Sequence, residues 1–203
     1  MNIRSEPFIW IHLVGIALFP ALVEVALLGL AVGDSYSYLI ELPLLAVIAI
    51  LPILLMQLSR PFDIFSILFL SLKPECLTES QRKILSLFMT AKQKIWSLIA
   101  ALVMLLLLWL IYNLSPLATG IAVFVPQWRI LGLGIAAIAF LGSNLFLQIP
   151  LSVLQVLLTK ESKFTQIEPY SLEAITSSFT VPGIKVNKIL WFSSAPTEIK
   201  EIS

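Results

Sequence analysis

Residues 100–112 read AALVMLLLLWLIY, and no charge occurs anywhere between Lys94 and Arg129. Hydrocarbon about 30 Å thick, crossed at 1.5 Å per residue, takes roughly 20 apolar residues. The run therefore sits inside a membrane span, expected over 95–114. Downstream, no charge separates Arg129 from Lys160, and a further span is expected over 130–158. It contains Pro150, together with Gly132, Gly134 and Gly142, small residues that let a neighbouring helix approach closely. Upstream, 8–32 is interrupted only by His12, Pro20 and Glu24, and 40–58 contains Pro43 and Pro52. Four spans result.

Composition agrees. Of 203 residues 59% are apolar and 12% charged, with mean hydropathy +0.97. A soluble domain carries about 25% charged residues, so this chain lacks the polar surface to face water on all sides. A net charge of +1 with no dense basic stripe argues against a nucleic-acid partner. One cysteine, Cys76, excludes an internal disulfide, and one histidine, His12, excludes a multi-histidine site. The first apolar stretch is too long for a signal-peptide core and lacks its flanks, so it is read as a retained span.

Lysine and arginine are distributed unevenly. Arg60, Lys73, Arg82, Lys83, Lys92 and Lys94 lie between the second and third spans, and Lys160, Lys163, Lys185, Lys188 and Lys200 lie in the tail. The connection between the first two spans has none, and the last connection has only Arg129 at its edge. The positive-inside rule then places the N-terminus, the middle segment and the tail in the cytosol. Trp10, Tyr36, Tyr38, Tyr112 and Trp128 fall where an aromatic belt is expected.

The middle segment, 60–94, is the most structured part outside the bilayer. Its apolar stretch 62–72 is too short to span and suits an in-plane segment. After the turn at Lys73-Pro74-Glu75-Cys76, Thr78-Glu79-Ser80-Gln81 matches a capping box. The helix that it opens places Ile84, Leu87, Phe88, Ala91 and Ile95 on one face and is expected to run on into span three. The segment reads either as a lipid-surface hairpin or as a docking platform, with Arg60, Phe62, Phe65, Ile84 and Phe88 as its candidate interaction surface. Cys76 is a juxtamembrane thiol of the kind that is palmitoylated, or a bystander.

Few residues carry chemistry. Glu24 is a carboxylate within the hydrocarbon, where ionisable groups mark function by default. It reads as a proton or cation group, or as structural glue bonded to Ser143, Asn144 or Gln148 in span four. His12 reads as an interfacial anchor, with ligation of a pigment or haem metal as the alternative. The prolines could break helices around a substrate site, although spans tolerate proline generally. No metal site and no catalytic constellation is expected.

The strings Arg4-Ser5-Glu6-Pro7-Phe8-Ile9-Trp10-Ile11-His12-Leu13 and Gln57-Leu58-Ser59-Arg60-Pro61-Phe62 resemble the cyanobacterial low-complexity tail membrane proteins, over the four-span portion to about residue 165. The family name describes a compositionally biased C-terminal tail, whereas this tail is short and mixed. The resemblance implies a cyanobacterial membrane, thylakoid or plasma, and a link with photosynthetic complexes; it brings no site residues. The expectation is an all-α membrane protein with four transmembrane helices, a cytosolic interfacial helical hairpin between spans two and three, and a largely irregular tail. Residues 1–159 form the membrane domain and 160–203 the tail. Function is expected to be that of a non-enzymatic accessory, assembly or scaffold protein embedded in lipid and bound to other membrane proteins. The alternative is a small transporter or channel with Glu24 in its pathway. No cofactor is expected unless a pigment binds His12.

Overall fold

The computed structural model describes residues 3–67, 69–121 and 127–189. In chain order the elements are α1 (Pro7–Val14), α2 (Leu18–Leu30), α3 (Tyr38–Ala49), α4 (Leu51–Ser59), β1 (Ser66–Ile67), β2 (Leu70–Leu72), α5 (Glu79–Phe88), α6 (Ala91–Leu114), α7 (Arg129–Leu157), α8 (Glu161–Phe164), α9 (Leu172–Ser178) and β3 (Ile184–Val186). Among the described residues, four helical stretches are long and apolar enough to cross a membrane: Pro7–Leu30, Tyr38–Ser59, Ala91–Ala118 and Arg129–Leu157.

Proline decides where the first two spans break. Pro20 has no amide to offer the Ile16 carbonyl one turn back, and the chain tightens to a 3-10 turn at Gly15–Ala17, dividing α1 from α2. Pro52 likewise cannot bond Ile48, and the backbone at Ile50 departs from the helix (φ −107°, ψ −49°) between α3 and α4. In the fourth span Pro150 sits inside a continuous α7.

The fourth span, α7, packs against each of the other three. Its tightest crossing is with α2, where backbone meets backbone. A Cβ on Gly132 would lie 2.5 Å from the Gly29 oxygen, and one on Gly29 would lie 2.7 Å from the Gly132 oxygen. Ala26 and Ala136 extend this small-residue seam and are fully enclosed. Lipid does not drive helices together by hydrophobicity, so such close packing supplies the attraction.

A second core caps one end of the bundle. Phe8, Ile9, Ile149, Val153 and Val156 from spans one and four meet Ile64, Phe65, Ile84 and Phe88 of the middle segment and Phe164, Ile175 and Phe179 of the tail. The expected helical hairpin is corrected in its first arm, which folds as strands. β1 and β2 pair antiparallel, and β3 from the tail adds parallel to β2, with Leu70 opposite Ile184 and Leu72 opposite Val186. Strand pairing over such a separation leaves no local periodicity to read. Gly183 makes the join: its φ is +69°, and a Cβ there would sit 2.0 Å from the Phe69 oxygen. The second arm is helical, but α5 does not continue into span three. It stops at Phe88, and Thr90 caps a new helix, accepting from the Gln93 amide at 3.4 Å. The largely irregular tail carries the short elements α8, α9 and β3; of the apolar tetrad at 189–192, only Ile189 lies within the described residues.

Candidate functional site

At the end of the bundle away from the second core, three spans converge on a buried ion pair. Glu41 on α3 and Arg129 at the start of α7 are each 3% exposed. The Arg129 Nε donates to Glu41 Oε1 at 3.2 Å, and its Nη2 makes a very short ion pair with Oε2. Tyr112 of α6 donates its hydroxyl to the same Oε2 at 2.7 Å, and the Tyr36 amide donates to Oε1 at 2.8 Å. The Arg129 Nη1 turns to the end of span one, donating to the carbonyls of Leu30 at 2.6 Å and Val32 at 3.1 Å. Those carbonyls have no helical partner ahead of them. One guanidinium thus holds the ends of spans one, two and four together, and Tyr112 adds span three. Tyr112 is a cluster member, not the belt residue expected, and its ring meets Tyr38 edge-on at 5.5 Å.

Sequence reasoning missed this pair because both charges lie at span ends, where they look like topology markers. The available signal was their equivalent depth: each opens a span on the same side of the membrane. A second polar node lies deeper. The Asn144 Nδ2 of α7 donates to the carbonyls of Ala49 at 3.1 Å and Ile50 at 3.4 Å, at the break between α3 and α4. The Gln148 Nε2 in turn donates to Asn144 Oδ1 at 3.0 Å. Neighbouring side chains commonly satisfy carbonyls at such breaks.

Glu24 joins neither node. It is exposed on the outer face of α2, between exposed Val25 and Ala21. Leu30 is about 9 Å further along the helix, at 1.5 Å rise per residue. Asn144 and Gln148 are occupied elsewhere, and Ser143 donates to the Phe140 carbonyl at 2.8 Å. The intrachain glue reading of Glu24 is therefore corrected: none of its three expected partners bonds it.

His12 is half-buried, its Nε2 2.8 Å from the Ile64 carbonyl and its ring edge-on to Phe62 at 5.7 Å. A carbonyl only accepts, so Nε2 carries the hydrogen and its lone pair is not available to a metal. The residue anchors span one to the second core. Among the described residues, no three potential metal-ligating side chains converge.

The candidate interaction surface of the middle segment also needs correction. Phe65, Ile84 and Phe88 are buried, Phe62 is half-buried against them, and all belong to the second core. Arg60 is exposed, but its Nη2 donates to the carbonyls of Thr176 at 2.8 Å and Phe179 at 3.0 Å, capping α9. The tail covers the face that the segment was expected to offer.

The capping box forms as expected, with Thr78 N to Gln81 Oε1 at 2.9 Å and Gln81 N to Thr78 Oγ1 at 3.3 Å. Gln81 Nε2 also donates to Glu6 Oε2 at 3.2 Å. Burial raises the Glu6 pKa, opposed by that bond. Asp63, 1% exposed, accepts from the Phe65 amide at 2.9 Å. Burial pushes its pKa up to about 6, against the lowering effect of that amide.

Compared with curated proteins and with solved structures, the chain matches none. A family model described as low-complexity tail membrane protein-like matches residues 5–191, past the expected limit near 165 and through all of the described tail. The chain is a multi-pass membrane protein belonging to the low-complexity tail membrane protein-like family.

Proposed function

We propose that this protein is a non-enzymatic accessory or assembly factor that binds other membrane proteins through the outer face of its first span. The observation that carries the reading is Glu24, a carboxylate on the lipid-facing side of α2 with exposed apolar neighbours. Ionisable groups at such depth cost a few kcal/mol against hydrocarbon and are almost always paired or turned to a protein interior. A partner helix presenting a hydrogen-bond donor or a cation would relieve that cost.

The lysine and arginine distribution supports a cytosolic placement of the second core, both termini and the tail. The family resemblance supports a cyanobacterial thylakoid or plasma membrane, with photosynthetic complexes as the partners to test first. The transporter alternative draws less support, because Glu24 lies outside the single bundle and a pathway past it would have to form between chains.

Affinity purification from mild detergent tests the proposal. The wild-type chain should retain a reproducible membrane-protein partner, and Glu24→Leu should lose at least tenfold of it. Thermal stability of the isolated chain should be unchanged or raised. Recovery of the wild type as a lone monomer, or equal partner yield from Glu24→Leu, would overturn it.

A further inference from the structure

Where the third span begins and the fourth ends, on the side of the second core, the chain leaves a cleft of about 480 Å³. Among the described residues, Lys92, Lys160 and Lys163 line it and no carboxylate does. Among the described residues, none of the three lysines forms an ion pair. The cleft also takes in the opening turn of α6, where Ala91 and Lys92 have backbone amides with no helical carbonyl ahead of them. Gln93, from the same turn, is 2% exposed, and among the described residues nothing accepts from its Nε2. A buried amide without an acceptor costs about 1–3 kcal/mol unless something supplies one. Three cations, a helix start and an orphaned donor converge, and each lacks the same thing, an anionic oxygen.

We propose that this cleft binds a phosphate-bearing anion, and that its source is the headgroup of an anionic phospholipid. Position favours the lipid. The cleft opens at the membrane boundary, and Leu158 on its lining is 72% exposed, as acyl chains running down beside the fourth span would require. Basic pockets between spans at this level are a recurrent headgroup site. Ser162, also on the lining, can donate its hydroxyl to a remaining oxygen. Such a lipid would bridge the end of α7 to the start of α6.

Native mass spectrometry of the full chain in detergent tests the site, with phosphatidylglycerol, phosphatidylcholine or inorganic phosphate as the probe. Phosphatidylglycerol should bind at one saturable site and phosphatidylcholine should not. The combined change Lys92→Gln, Lys160→Gln, Lys163→Gln should weaken binding about a hundredfold, since each charge near the surface contributes about tenfold at most. Gln93→Leu should also weaken it with all charges retained, which a diffuse basic surface would not show. Lys185→Gln, away from the cleft, should have no effect. Saturable inorganic phosphate binding lost in the same variants, with no lipid preference, would keep the anion site and overturn its assignment to lipid. Equal uptake of the two lipids with no phosphate binding, or undiminished binding by the triple variant, would overturn the site itself.

Discussion

Arg129 shows what a single residue can do in this bundle and how little of that is visible locally. In the chain it is an isolated cation ahead of an apolar run; in the fold it spends its donors on a carboxylate and two carbonyls. Burying two charges is costly, and the pair breaks even only when most of their hydrogen-bonding capacity is used. Here Tyr112 and the Tyr36 amide complete the carboxylate. Removing one partner should therefore be worse than removing both. Arg129→Met is expected to cost about 3–5 kcal/mol by leaving Glu41 charged and enclosed. Adding Glu41→Gln should return a substantial part, because the amide needs no counter-charge and still accepts from Tyr112. Reversible denaturation in mixed micelles measures both, and a double variant no more stable than Arg129→Met would refute the pairing as the cause. Glu24 offers the converse lesson: the residue type was readable as unusual, but which way it faces depends on the packing of three other helices.

Among elements, the four long helices were readable because their length and apolarity answer directly to the bilayer, while the contacts that orient them were readable only in part. Gly132 and Gly134 looked equivalent as small residues in span four, yet they are not. A Cβ on Gly132 would press on the Gly29 carbonyl and Val32, whereas one on Gly134 meets nothing within 4 Å. The obstacle at Gly132 is backbone, which cannot rotate away. Gly132→Ala is therefore expected to destabilise the protein by about 1–3 kcal/mol through overpacking. Gly134→Ala should be neutral or slightly stabilising, as alanine is the better helix former. The two denaturation midpoints decide it, and equal effects would refute the close crossing of α2 and α7. The three strands lay beyond reading for a different reason. β2 acquires its second partner from residues more than a hundred positions away, and two or three residues per strand carry no usable alternation.

At the scale of the whole molecule, tail and bundle share one core, since Phe164, Ile175 and Phe179 are buried in the same cluster as Phe8 and Val153. The expected division near residue 160 follows composition, but folding ignores it. The tail's composition is polar enough to read as irregular, because its few apolar residues are spaced to meet distant surfaces and not one another. This shared core makes stability depend on pH. Asp63 donates its amide to the Thr180 carbonyl at 3.0 Å and lies within the layer that the tail completes. Its folded pKa of about 6 exceeds the reference value of 3.8, so between those values the folded chain holds a proton that the unfolded chain releases. Stability should thus be greatest below about pH 4, fall as pH rises towards 6, and level off above it. The fall attributable to Asp63 is on the order of 3 kcal/mol, at 1.36 kcal/mol per pKa unit. Glu6, raised in the same direction, steepens it. Asp63→Asn keeps an acceptor for the Phe65 amide but cannot ionise, so it should match wild type near pH 4 and exceed it at pH 7.5. The wild-type–variant difference isolates Asp63 from Glu6, Glu41 and every other acid. Melting both proteins in detergent across that range checks it, and a difference that does not grow with pH would mean that Asp63 is not held in a buried, proton-retaining layer.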